Sequence, residues 1–97
     1  MEHETAAASL AELGNTHRLA VYRFLVKAGH GGSSVGDIQK AIGIPASTLS
    51  HHLSRMAKVG LIRQEKKSRT IFCIPEYQHL FSLIDFLKEE CCSGEPC

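Results

Sequence analysis

Residues 43–53 read Gly43-Ile44-Pro45-Ala46-Ser47-Thr48-Leu49-Ser50-His51-His52-Leu53, and the spacing that follows makes them the start of a helix running to Val59. Leu49, Leu53, Met56 and Ala57 recur at helical intervals and mark the face turned inward. Pro45 is expected at the first helical position, where its missing N–H costs nothing, and Gly60 ends the helix. The outward side of the first two turns carries Ser47, Thr48, Ser50, His51 and His52. A helix that enters the major groove of DNA meets the base edges with its N-terminal residues, which must therefore be polar.

The flanking stretches fit that reading. Upstream, Ser34 and Asp37 resemble a capping box before a short helix whose apolar face is Val35, Ile38, Ala41 and Ile42. Gly43 ends it, so the two helices are joined by the three-residue break Gly43-Ile44-Pro45. Downstream the apolar period changes from helical to two. Leu61–Glu65 and Thr70–Ile74 flank Lys66-Lys67-Ser68-Arg69, a hairpin with a basic tip that Pro75 closes. A helix pair followed by a basic hairpin predicts a winged helix-turn-helix, mainly α with a small β-hairpin wing and about five helices.

The remaining helices lie at the two ends. Thr5 to Leu13 is Ala-rich and stops at Gly14, after which Asn15 caps a helix from Thr16 to Ala28. Its expected buried stripe is Leu19, Tyr22 or Arg23, and Val26, widened by Phe24 and Leu25. Tyr77 to Lys88 carries Leu80, Phe81, Leu83, Ile84, Phe86 and Leu87 around most of its circumference. One small core does not consume that much apolar surface, and a homodimer contact is the natural sink. The expected interface sets Leu10 and Leu13 against Leu80, Leu83, Ile84 and Leu87.

Charge is divided along the chain. Between Ile38 and Pro75 seven basic residues face the single acid Glu65, a net of +6; from Glu76 onward five acids face Lys88, a net of −4. A basic middle with an acidic tail implies a polyanion met by the middle segment only. Ser47, Thr48, Ser50 and His51 are the candidates for contacts to bases or phosphates. Arg55, Lys58, Lys67 and Arg69 are candidates for phosphate contacts, with the hairpin tip reaching backbone or minor groove. The bland reading makes Ser47 and Thr48 mere caps and the Lys/Arg run a solvated turn, but helix pair, polar start and basic hairpin coincide. His52 reads as surface, and Arg63 as a partner for Glu65.

At 97 residues the chain allows one domain with one core, residues 1–97, with a cysteine-bearing tail at 91–97. Its apolar runs are too short to span a membrane and its first residues lack a basic-plus-apolar leader, so the expected location is cytoplasmic. The four cysteines do not make a disulfide framework. Cys73 stands alone, and Cys91, Cys92 and Cys97 could staple the tail only to itself. Reduced thiols are expected. Cys73, between Phe72 and Ile74, reads as a core residue.

Three stretches carry a family resemblance: Leu13-Gly14-Asn15-Thr16-His17-Arg18-Leu19, Ile44 to Leu53, and Val59-Gly60-Leu61-Ile62. They resemble the ArsR/SmtB family of metalloregulatory repressors over nearly the whole chain, and the Ser-x-x-Ser-His-His-Leu core is the most specific match. The resemblance implies a dimer built from the first and last helices, operator binding by the fourth helix and wing, and release when an inducer binds. Two of the family's patterns are missing. Val35 and Gly36 stand where arsenic-sensing members carry Cys-Val-Cys, and only His79 remains of the Asp-x-His zinc pattern.

The spacing Cys91-Cys92-x4-Cys97 supplies another donor set. Thiolates select soft or borderline ions: copper(I), zinc and, by the same logic, mercury, trivalent arsenic or antimony. Adjacent side chains on a helix point about 100° apart, so the pair can converge only if the helix stops near Glu90, as Ser93, Gly94 and Pro96 favour. Three thiolates without a nearby His suit a pyramidal centre better than tetrahedral zinc. A tail Cys-Cys with a further Cys also resembles family members that sense trivalent arsenic. The leading expectation is a repressor that leaves its operator when arsenite or antimonite binds Cys91, Cys92 and Cys97. The alternative is a redox-sensing repressor in which the same thiols oxidise, Cys92–Cys97 being the less strained bridge. An enzyme is disfavoured, because no Gly-rich nucleotide loop, Cys-x-x-Cys or nucleophile–base set accompanies the thiols.

Overall fold

The computed structural model describes all 97 residues as five helices and three short strands. They are α1 (His3–Leu13), α2 (Thr16–Ala28), β1 (Ser33–Ser34), α3 (Val35–Ile42), α4 (Ala46–Lys58), β2 (Ile62–Lys67), β3 (Thr70–Pro75) and α5 (Tyr77–Lys88). The strands form one antiparallel sheet in the order β1-β3-β2. No helix is long and apolar enough to cross a membrane.

The caps are the expected ones. Asn15 Oδ1 accepts from the N–H groups of His17 and Arg18, and Ser34 Oγ accepts from the Asp37 N–H, each satisfying amides that the helix itself leaves unpaired. Gly43 closes α3 at φ +76°, donating to the Gln39 carbonyl at 2.8 Å. Pro45 lies one position earlier than expected, as the residue before α4 rather than its first; its carbonyl still accepts the first helical bond, from Leu49.

One apolar core joins all layers: Val21, Tyr22 and Leu25 of α2, Ile38 of α3, Leu49, Leu53 and Met56 of α4, and Leu61, Ile62 and Cys73 of the sheet side. The stripe of α2 is therefore Val21-Tyr22-Leu25. Leu19, expected inside, is exposed; the consecutive apolar run Phe24-Leu25-Val26 leaves the phase of the helix open until a neighbour packs against it. Leu83, expected at a subunit contact, is instead 2% exposed and belongs to the interior of the single chain. Phe81, Ile84 and Leu87 remain 53%, 45% and 59% exposed on α5. Two polar contacts fasten α5: Ser9 Oγ and His79 Nε2 share a 2.7 Å hydrogen bond, and the Tyr77 hydroxyl donates to the Val26 carbonyl at 2.7 Å.

The hairpin differs in length from the expectation. β2 continues through Lys66 and Lys67, the latter paired with Thr70, so the turn is only Ser68-Arg69. Ser68 takes φ +57°, a left-handed conformation that costs a non-Gly residue about 1 kcal/mol. The short turn keeps Lys66 and Lys67 on the ladder rather than in a loose tip. β1 was not anticipated. Ser33 and Ser34 pair with Cys73 and Phe72, and two residues show no periodicity to read.

Candidate nucleic-acid interface and thiol cluster

Burial of Leu49, Leu53 and Met56 fixes the rotation of α4, and with it the exposure of Ser47, Thr48, Ser50 and His51 on the opposite side. Ser50 and Ser54 face the sheet across a groove of about 540 Å³, whose other walls include Ser34 at the start of α3 and Gln64, Arg69 and Thr70 of the wing. Seven of its nine lining residues are not hydrophobic. One continuous polar surface thus runs from the recognition helix to the hairpin, with Arg69 inside it. Lys67 stands over the Phe72 ring, its Nζ 5.4 Å from the ring centre, an attractive cation–π placement.

Arg55 and His52 occupy different situations from those expected. The Arg55 guanidinium grips Glu12 of α1 in a bidentate pair, Nε to Oε1 at 2.7 Å and Nη2 to Oε2 at 3.1 Å. Glu12 is buried and is also reached by Arg18, whose Nε donates to the Glu12 carbonyl oxygen at 2.7 Å. The hydrogen bond and charge of Arg55, helped by Arg18, hold the Glu12 carboxyl below its ordinary range despite burial. Arg55 therefore positions α4 against α1 and keeps only Nη1 outside that pair. Arg63 is paired as expected with Glu65, and additionally with Glu76.

His52 is buried, not a surface residue. Its Nδ1 lies 3.3 Å from Arg18 Nη1, which can only donate, so the neutral ring carries its proton on Nε2, an atom buried without a partner. Burial first, and the Arg18 charge second, push the His52 pKa down. The neutral ring is thus favoured in the fold, while an unfolded His gains its proton near pH 6.5. Stability is expected to fall as the pH drops through about 6.5 toward the lower native value, because the unfolded chain protonates first. Denaturant midpoints measured between pH 7.5 and 5 should show this slope, and His52→Gln should flatten it. An unchanged slope in the variant would assign the effect elsewhere.

The cysteine segment turns back on itself. The Cys91 N–H donates to Lys88, Ser93 to Glu90 and Glu95 to Cys92, while Glu90 and Cys92 take φ +56° and +59°. This succession of tight turns after Lys88 gathers the Sγ atoms of Cys91, Cys92 and Cys97 within 4.8 Å of one another, all on exposed residues. Cys91 Sγ lies 3.7 Å from Cys92 Sγ and 4.0 Å from Cys97 Sγ. Cys92 and Cys97 stand with their sulfurs in contact and their Cα atoms 5.4 Å apart. The turn at Cys92 gives it the Cα separation a bridge needs, which the adjacent Cys91 lacks. As thiolates, Cys91 and its two neighbours could hold one soft ion between them, since the 3.7 and 4.0 Å separations from Cys91 Sγ lie within the reach of two metal–sulfur bonds of about 2.3 Å. Cys73 is buried and free, with Gln64 Nε2 3.7 Å from its sulfur, and burial raises its pKa.

With this geometry in place, likeness to known proteins becomes informative. A family model described as a helix-turn-helix domain matches residues 13–65. The HTH-type transcriptional regulator YgaV of Escherichia coli K12 is 32% identical over 89 residues, covering 92% of this chain and 88% of YgaV. The chain belongs to the helix-turn-helix transcriptional regulators, and its fold is that of the ArsR family. Its relatives are regulators rather than enzymes. HlyU from Vibrio cholerae N16961, also solved in a reduced form, superimposes with a TM-score of 0.73 at 26% identity, covering 95% of this chain and 99% of HlyU. A homodimeric winged helix-turn-helix DNA-binding domain from Mycobacterium bovis, assigned as a possible ArsR-family regulator, gives 0.70 at 21% identity over 97% of this chain and 87% of its own.

Proposed function

We propose that the chain is a homodimeric repressor that binds operator DNA through α4 and the wing, and releases it when reduced Cys91, Cys92 and Cys97 capture trivalent arsenic or antimony. The observation that carries the reading is the convergence of three sulfurs within 4.8 Å, directly after the helix with the most exposed apolar surface. Capture displaces the thiol protons and ties the segment after Lys88 into one rigid knot. Because α5 supplies the subunit contact, tightening its end biases the spacing of the two recognition helices, which must match half-sites about 34–36 Å apart. A coupling of about 1–3 kcal/mol is enough, and it is reciprocal: operator DNA weakens arsenite binding by the same factor.

The test is a gel shift on operator DNA in reductant, with arsenite, antimonite and zinc added separately. Cys91→Ser, Cys92→Ser and Cys97→Ser are expected to bind DNA normally and stay bound with arsenite, whereas Cys73→Ser still responds. A triple tail variant that dissociates with arsenite would remove the thiols from the mechanism.

Dimerisation rests on Phe81, Ile84 and Leu87, together with Leu10 on α1, all exposed. Only 18 of 97 residues are buried within one chain, so a second copy adds needed apolar burial. Sedimentation is expected to give a dimer at micromolar concentration and a monomer for Ile84→Glu; a wild-type monomer there would end the proposal.

The proximity of Cys92 to Cys97, at a Cα separation that a disulfide can span, favours a second reading, a redox-sensing repressor. A hydroperoxide would oxidise one thiol to a sulfenic acid and leave as the alcohol; the other thiol would then attack that sulfur, forming the S–S bond and expelling the hydroxyl as water. DNA release by peroxide in Cys91→Ser, which retains the pair, would support this reading over the arsenic one.

A further inference from the structure

Between α2 and α5 lies a second groove, of about 380 Å³, remote in chemistry from the polar groove at the wing. Leu19, Val26 and Leu80 give it an apolar wall. On α2, Arg23 and Lys27 stand one turn apart on its rim, and neither has a carboxylate within 4.0 Å. Tyr22 also lines it, and the Tyr22 hydroxyl is buried without a hydrogen-bond partner. We infer that this groove is a binding site for a small amphipathic organic anion, an aromatic or medium-chain carboxylate or sulfonate.

Each part of that ligand answers an observation. The volume is of the size that small-molecule sites occupy, roughly 300–1,000 Å³. The wall covers an apolar body, and the two exposed cations beside it offer charge-assisted bonds to an anionic head. A second copy of the chain is the poorer occupant. Leu13 and Leu80, expected at a subunit contact, line the groove, but the exposed apolar face of Phe81, Ile84 and Leu87 lies outside it, and the cations Arg23 and Lys27 do not suit an apolar partner face.

The experiment titrates the whole chain with 1-anilinonaphthalene-8-sulfonate, an aromatic anion whose fluorescence rises on burial, and with the uncharged N-phenyl-1-naphthylamine. Saturable binding of one sulfonate per chain is expected, weakened about tenfold or more in Arg23→Gln/Lys27→Gln, since charge-assisted bonds are worth about 1.5–3 kcal/mol. The neutral dye should bind the same variant as it binds the parent, which also reports an intact groove. Equal sulfonate affinity in the double variant overturns the site. So does sulfonate binding that disappears as protein concentration drives dimer formation, an outcome that would give the groove to the partner subunit.

Discussion

Gly32→Ala is expected to lower the melting temperature by about 10–25 °C. The residue sits at φ +68°, and a Cβ built there would lie 2.2 Å from the Cys73 carbonyl oxygen and 2.9 Å from its carbonyl carbon. Both are backbone atoms of the central strand, so no side chain can swing aside. The left-handed conformation alone costs alanine about 1–2 kcal/mol, and relief of the clash means prising β1 from β3 or shifting β3 against the core, on the order of another 1–3 kcal/mol. At roughly 4–8 °C per kcal/mol for a domain this size, several kcal/mol is a large share of a typical 5–15 kcal/mol stability. Gly31→Ala is the control: an added Cβ meets nothing within 4 Å and its φ lies outside the left-handed region. Circular dichroism melts of the two variants decide the matter. A Gly32→Ala melt within two or three degrees of the parent would mean that the close approach of β1 to β3 is wrong.

Removal of both wing cations, Lys67→Ala/Arg69→Ala, is expected to weaken binding to operator and unrelated DNA alike, by roughly 60-fold at 0.1 M salt. Each phosphate contact contributes about −0.9 to the slope of log K against log salt, so losing two should make the slope shallower by about 1.8. Arg69 lines the polar groove, and Lys67 stands over the Phe72 ring at the same end of the hairpin. Ser47→Ala and His51→Ala should behave otherwise, weakening operator binding with little change for unrelated sequence, because base contacts specify and phosphate contacts position. Fluorescence anisotropy across a salt series, with a melting check for the packing lost at Phe72, separates the two classes. Wing variants that change which base pairs are preferred would reverse the assignment.

Much of the candidate site was legible because its signals are local. The apolar period of α4 determines which of its residues face outward, and the change to a period of two after Gly60 announces the wing. The thiol cluster is equally local, since Ser93, Gly94 and Pro96 sit among the cysteines they help to gather. Local signals fail where several phases fit. On α2 the run Phe24-Leu25-Val26 satisfies more than one stripe, and only packing turned Val21 inward and left Leu19 and Arg23 to line a groove.

Sequence by itself determined the winged helix-turn-helix order, the caps at Asn15 and Ser34, the polar start of α4 and the gathering of Cys91, Cys92 and Cys97 in the tail. Tertiary structure alone decided what the long-range groups do. Arg55 is 43 residues from Glu12, and Ser9 is 70 from His79; no spacing rule links such partners. The packing of α1 on α4 brings Glu12 to Arg55, and that of α2 on α4 sets Arg18 against the buried His52 ring. Helical and strand periods arise from bonds between near neighbours along the chain, whereas ion pairs, burial of a polar ring and a two-residue strand exist only once distant segments meet.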